Sequence, residues 1–394
     1  MKFGCLSLVF ISLFTVSAFA GSSSSPEKDE KSWGSDMQEL KHLVEELIPA
    51  IFSLSEFERV KNTKEFKDDL EKFSKISHSV KVKAEKSKEL PSADPSLRFV
   101  STILEDNAKQ AYEAYQIGQK EWARGLVKQS LGHCFACHST DRFGPQFETE
   151  EDPKFLKGLS TLDKADFYIA TRNFEEALKL YKESIESVKL AKNLPGEWQR
   201  AVRNGLALAV RIKNDPKLAE GFINTAMKKE FSSNPIYDRD LKAWKAGVLA
   251  WKTEQKRSID PAGEKAHFDQ VQGLAKNANH RKQFDADRSG EIEYLRLSAA
   301  AHEFFKRYPE SKYSADILFH LGTAYDSLRG LGGLWMLQDA YWEACIYARP
   351  NSKVSWKCYK AYRDSVHKGY SGSRGLDLPI GLAFKLQQLE RFAK

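Results

Sequence analysis

The chain has 394 residues, 41% of them hydrophobic, and a formal net charge of +7 at pH 7. This length predicts two or three domains, with enough apolar material for a buried core. The basic residues are spread along the chain, which predicts a solvated surface, disfavours nucleic acid as a partner and leaves acidic proteins as the weaker possibility.

Residues 1–20, MKFGCLSLVFISLFTVSAFA, contain one Lys, an apolar run and an A-x-A sequence ahead of Gly21. This pattern predicts a secretory signal peptide that is removed on export, with the periplasm as the destination. An N-terminal membrane anchor is the alternative, but the flanks are short and the cleavage signal is clear. The mature chain is therefore expected to have no membrane span, and residues 21–35 read as a flexible polar linker.

Four amphipathic stretches follow, at about residues 36–57, 63–88, 95–118 and 119–138. In the first, Met37, Leu40, Val44 and Leu47 recur at spacings of three and four, and Asp36 is the predicted N-cap. Four such helices with short links predict an up-down-up-down bundle over residues 36–146. The predicted fold class is all-α.

The fourth stretch ends in Cys134-Phe135-Ala136-Cys137-His138, which is the attachment sequence C-x-x-C-H for one covalent c-type haem. In such a site both thiols bind the haem vinyl groups, and the adjacent imidazole is the proximal iron ligand. A zinc site is disfavoured because His133, Cys134, Cys137 and His138 lie too close in sequence to enclose an ion. A thioredoxin-like redox pair lacks its α/β unit, whereas a plain disulfide stays open but leaves His138 unexplained.

This placement of the motif resembles the cytochrome c-prime and cytochrome c-556 family, in which an Arg follows the motif His by four residues. Arg142 stands at that position, although Phe135 replaces the usual Lys of the motif. The resemblance covers residues 36–146, under a third of the chain, and depends on motif placement more than on running identity. Arg142 and Arg124 are candidate partners of the haem propionates, and a solvated basic face is the alternative.

Met37 is the candidate sixth ligand of the iron. In an antiparallel bundle the start of the first helix lies at the same end as the finish of the fourth, so Met37 is expected near His138. The opening Asp36-Met37-Gln38-Glu39-Leu40 is also similar to bundle cytochromes with an axial Met. The alternative is that Met37 is a core residue beside a five-coordinate haem.

Residues 159–394 resemble tetratricopeptide repeats, in which small residues let paired helices approach. Ala165, Tyr168, Ala177 and Tyr181 fall at the spacings of that repeat, but the later units are irregular. The resemblance implies a surface for a cell-envelope or redox partner protein, and the alternative is a scaffold that only packs against the haem bundle. Cys345 and Cys358 either form a disulfide across Pro350 or remain as two buried thiols.

These features together predict an exported, non-enzymatic monohaem cytochrome that exchanges electrons with a protein docked on the repeat region. A gas-binding or redox-sensing module is the second reading, and it requires an open or displaceable sixth iron position. A peroxidase would need a distal His or Arg and usually a second haem, and the sequence contains one C-x-x-C-H.

Overall fold

The computed structural model is all-α over the residues that it describes. Three parts of the sequence prediction lie outside the described residues: the signal peptide, most of the linker and Arg142. The described residues are 33–86, 94–140, 147, 153–228, 231, 235–255, 262–282, 284, 287–331, 336–373 and 375–394.

The N-terminal group of helices ends in the C-x-x-C-H motif. Its apolar faces meet in one core, where the helix Trp33–Phe52 packs against the helices Lys64–Lys86 and Lys120–His138, and the helix Ser96–Gln116 contacts both of the latter. The first predicted stretch is two helices, because Ser53 leaves the helical conformation and caps the second of them with its side chain. The helices are α1 (Trp33–Phe52), α2 (Leu54–Val60), α3 (Lys64–Lys86), α4 (Ser96–Gln116) and α5 (Lys120–His138).

The prediction that Asp36 is the N-cap of the first helix was wrong. The helix begins at Trp33, so the last residues of the predicted linker are helical and Asp36 lies inside the first turn. Its carboxylate is 1% exposed and accepts hydrogen bonds from Ser79 Oγ at 2.7 Å and Lys83 Nζ at 2.6 Å. The Asp36 side chain therefore bonds to α3 and does not cap its own helix.

The described residues of 153–394 form the C-terminal group, in which the β-structure of these residues is one short hairpin, β1 (Ser371–Gly372) with β2 (Gly375–Leu376). A π-helix (Leu208–Ile212) continues one α-helix, and a 3-10 turn (Lys154–Leu156) packs against α1. The α-helices are α6 (Thr161–Ala170), α7 (Phe174–Ile185), α8 (Val188–Asn193), α9 (Pro195–Ala207), α10 (Pro216–Ala226), α11 (Pro235–Gln255), α12 (Glu264–Arg281), α13 (Glu291–Arg307), α14 (Ser314–Ser327), α15 (Leu337–Ala348), α16 (Lys353–Tyr370) and α17 (Ile380–Ala393).

Small residues allow close helix packing in this group. The α-carbon of Gly322 on α14 lies so near the indole of Trp342 on α15 that an added Cβ would overlap the ring. An added Cβ at Gly205 on α9 would likewise overlap the ring of Phe222 on α10. The predicted repeat residues Ala165, Tyr168, Ala177 and Tyr181 are all buried between α6 and α7.

A disulfide joins Cys345 on α15 to Cys358 on α16. The two helices pack against each other across the turn that contains Pro350, and both cysteines are fully buried. The sequence left two alternatives, a disulfide and two buried thiols, and the disulfide is the one observed. It ties the end of α15 to the first half of α16.

Candidate functional site

A cavity of about 600 Å³ lies between the two groups of helices and is called here the motif cavity. Its walls come from the start of α1, the start of α4, the end of α5, the turn after α6 and the last turns of α13. The lining is mainly apolar, as is usual for cofactor sites, whose volumes run from about 300 to 1,000 Å³. The motif residues that line it are Cys134, Ala136, Cys137 and His138.

The last turns of α5 place both motif thiols in this cavity. Cys134 and Cys137 are three residues apart and therefore share one face of the helix. Both are thiols and half-buried, and Cys134 Sγ lies 3.7 Å from the Ser130 carbonyl oxygen. Burial, with a smaller effect of Cys137, raises the pKa of Cys134 to about 12, which disfavours the low-pKa thiolate of a redox pair.

His138 presents a neutral imidazole to the cavity. Burial is the main cause that lowers its pKa to about 4, the charge of Arg172 lowers it further, and the carbonyls of Ala170 and Ile169 oppose the shift. Neutral imidazole is the form that binds metal ions. Among the described residues no group hydrogen-bonds to His138 Nδ1, although this nitrogen is buried. A buried nitrogen without a partner is rare in native structures, and a bound water or a ligand would satisfy it.

His133, to which sequence reasoning gave no role, also lines the motif cavity and is 2% exposed. Burial lowers its pKa to about 4, and within the described part of the chain its Nδ1 has no hydrogen-bond partner. It lies five residues before His138, about 140° around the same helix, so the two rings cannot face one iron from opposite sides. The helical period of α5 places His133 on the buried face of that helix.

Met37 lines the same cavity from the first turns of α1, half-buried against the core. Met37 and His138 therefore both line the motif cavity. The end of α1 also meets the start of α5, since Arg124 Nε donates to the carbonyl oxygens of Ala50 and Ile51 at 3.0 and 2.9 Å. α1 and α5 thus run antiparallel, which is the reason for the placement of Met37.

The structure does not bring Arg124 to the motif cavity. This residue lies fourteen positions before His138 on one straight helix, about 21 Å along its axis. Its guanidinium instead holds the end of α1 and packs over the ring of Phe57. Arg124 is therefore remote from His138 and from the motif cavity, whereas Arg142 falls outside the described residues.

Four basic side chains that sequence reasoning missed line the cavity: Lys41, Arg172, His302 and Lys306. Asp94 is the acidic residue among the described lining residues. Lys41 follows Met37 by four positions, so the helical period of α1 contained a signal for it. The other three belong to the C-terminal group, and no local pattern connects them to the motif.

The chemistry of these donors fits a covalent haem. Two thiols on one helix face, a neutral buried imidazole and a thioether share one apolar cavity, and its basic side chains suit a ligand with two carboxylates. Metal-binding clusters of three or more His, Cys, Asp or Glu are lacking among the described residues. In the part of the chain that is described, no helix is long and apolar enough to cross a membrane.

The chain matches no family model, no curated protein and no solved structure. What can be said of its function therefore depends on the residues of the motif cavity and on the helices around it.

Proposed function

We propose that this protein is an exported monohaem c-type cytochrome that exchanges electrons with a protein partner. Cys134 and Cys137 would hold the haem covalently, and His138 would be the proximal iron ligand. The observation that carries the proposal is that Cys134, Cys137 and His138 of the C-x-x-C-H motif line one apolar cavity of about 600 Å³, with a buried nitrogen of the His138 ring that lacks a partner among the described residues.

The finer fold assignment belongs to the same proposal. The N-terminal helices α1 to α5 would be a four-helix bundle similar to cytochrome c-prime and cytochrome c-556, with α2 as a short addition after α1. The C-terminal helices would be an irregular array similar to tetratricopeptide repeats. The antiparallel course of α1 and α5 supports the first assignment, and the close contact of Gly322 with Trp342 supports the second.

When bound, haem supplies a reversible one-electron couple between ferric and ferrous iron. The chain's own part is to hold and insulate that group. His138 binds as the neutral imidazole that burial already favours. The apolar residues of the cavity exclude water, and Lys41 and Lys306 offer positive charge to the carboxylates.

A second cleft, of about 1,120 Å³, supports docking of a partner close to the motif. Phe135, inside the motif, and Leu131 line it from α5, while α6 to α9 form the other side. A partner seated here would be separated from the motif cavity by about the thickness of one helix, 10–12 Å. Acidic side chains outnumber basic ones, which favours a basic partner segment; they are Asp163, Asp166, Glu183, Glu186 and Glu197 against Lys128, Lys189 and Arg200.

A gas-binding or redox-sensing module is the second candidate. The observation in its favour is that Met37 is only half-buried beside a cavity of about 600 Å³. Such a side chain could leave the iron to a small ligand without unfolding the core. The two candidates share the covalent haem and differ in the sixth iron position.

The test of the proposal is a haem-stained denaturing gel combined with absorption spectra of both oxidation states, with and without carbon monoxide. Wild-type protein should retain haem on the gel, whereas Cys137→Ser and His138→Ala should not incorporate it stably. The matched control is the double variant Cys345→Ser/Cys358→Ser, which removes the disulfide but should retain covalent haem. Wild-type protein without covalent haem, expressed in a host that matures c-type cytochromes, would refute the proposal.

A further inference from the structure

The turn between α6 and α7, residues 171–173, reaches from the C-terminal group to the end of the motif helix. Arg172 Nη1 donates a hydrogen bond to the main-chain carbonyl of His138 at 3.2 Å. The preceding residue, Thr171, accepts a hydrogen bond from the Phe147 N–H at 3.1 Å. The ring of Phe147 in turn lies 5.9 Å from the His138 ring, between centroids. This turn therefore contacts His138 directly through Arg172 and indirectly through Phe147.

The bond to His138 occupies a carbonyl that α5 itself cannot satisfy. The last carbonyls of a helix have no partner within it and carry partial negative charge. Here the Ser139 N–H donates to the main-chain carbonyl oxygen of Phe135 at 2.9 Å, and Thr140 Oγ1 donates to that of Cys137 at 2.7 Å. Arg172 completes this pattern at His138 with a charged donor, which binds more strongly than a neutral one.

The backbone at Arg172 is held in a conformation that most residues avoid. Its φ angle is +56°, in the left-handed region, which is unfavourable for a residue with a side chain. Hydrogen bonds from Arg172 N–H to Ile169 and from Asn173 N–H to Tyr168 fix the turn. The guanidinium also lies 5.2 Å from the ring centroid of Phe174. Strain kept in this way is frequent at functional sites.

We propose that Arg172 is a positioning residue of the haem site, which fixes the axial His138 through its carbonyl and places a positive charge beside it. The inference depends on the proposed function, since it assigns to the C-terminal group a part in iron coordination. A nearby positive charge favours the iron state of lower charge, so Arg172 would raise the reduction potential. The C-terminal group would then be part of the haem site and not only a surface for partners.

The test uses variants that keep the left-handed backbone. Asn and Gly both tolerate this conformation, so Arg172→Asn and Arg172→Gly remove the guanidinium without adding strain. Arg172→Lys keeps the charge and loses the planar fork of donors. The matched control is Arg363→Asn, since Arg363 on α16 pairs with its neighbour Asp364 and does not line the motif cavity.

Each variant is produced with its haem, checked for covalent haem on a stained gel and titrated for its midpoint potential. The Asn and Gly variants should both shift to lower potential, about 59 mV for each tenfold change in the one-electron equilibrium, with Lys in between and Arg363→Asn unchanged. Thermal unfolding of the same substitutions in a haem-free Cys134→Ser/Cys137→Ser background reports any purely structural role.

The outcomes separate the two proposals. If wild-type protein carries no covalent haem, the proposed function fails. If Asn and Gly variants bind haem and keep the wild-type potential and spectrum, the role of Arg172 is overturned while the cytochrome proposal stands. A lower potential, or loss of haem incorporation in variants whose haem-free unfolding temperature is unchanged, supports positioning. Should the Asn and Gly variants not fold, the potential of Arg172→Lys decides, and a wild-type value with a wild-type spectrum would overturn the proposal.

Discussion

The Asp94 carboxylate and the His302 imidazole form a buried ion pair, Oδ2 to Nδ1 at 2.7 Å, between residues 208 positions apart. The other carboxylate oxygen of Asp94 accepts a hydrogen bond from the Tyr341 hydroxyl at 3.2 Å, and His302 Nε2 lies 2.9 Å from the Tyr325 hydroxyl. Both charged residues line the motif cavity. One wall of the cavity is thus the place where the two groups of helices are joined.

Asp94→Asn should destabilise the protein by about 3–5 kcal/mol. The substitution leaves the charged His302 buried without its counter-ion, and breaking a buried pair costs about this much. Denaturant unfolding followed by circular dichroism measures the effect. The control is Glu176→Ala, which removes an exposed pair with Lys179 and should cost no more than about 1 kcal/mol. Equal losses in the two variants would contradict the prediction.

Stability should fall as pH rises from about 6.5 to about 10. Burial opposes the charge on His302, but the Tyr325 oxygen and the Asp94 carboxylate outweigh it and raise its pKa to about 10. A histidine whose pKa is raised by folding contributes stability that is complete below about 6.5 and is lost as pH passes through the folded value. The unfolding free energy measured against pH should show this fall, and His302→Gln should flatten it. An unchanged slope in that variant would refute the assignment.

The sequence predicted the parts of the site that local pattern and topology determine. The motif is contiguous, and Met37 shares its cavity because antiparallel helices bring their opposite ends together. Arg124 does not line this cavity, because its guanidinium bonds to the carbonyls at the end of α1. Arg172 and His302 could not be found, since they reach the motif through packing between distant helices that no spacing encodes.

Gly322→Ala should destabilise the protein by about 1–3 kcal/mol, the usual cost of overpacking. An added Cβ would lie 2.8 Å from Cε2 of Trp342 and closer still to its Nε1, so α14 and α15 would have to separate. Gly221→Ala on α10 is the control, because a Cβ there meets nothing within 4 Å and Ala favours a helix by roughly 0.5–1 kcal/mol. Thermal unfolding of both variants measures the difference; the prediction is wrong if Gly322→Ala is as stable as Gly221→Ala.

Met37→Ala separates the electron carrier from the gas sensor. If Met37 binds the iron, wild-type protein should be low-spin with a sulfur-to-iron band in the near infrared, because a thioether completes six-coordination opposite the imidazole. The variant should then become high-spin, lose that band, bind carbon monoxide readily and fall in potential. Met227→Ala is the matched control, since Met227 is also half-buried against the core but does not line the motif cavity. Wild-type protein that is already high-spin and binds carbon monoxide at once would make Met37 a packing residue, and the function would move from electron transfer toward ligand sensing.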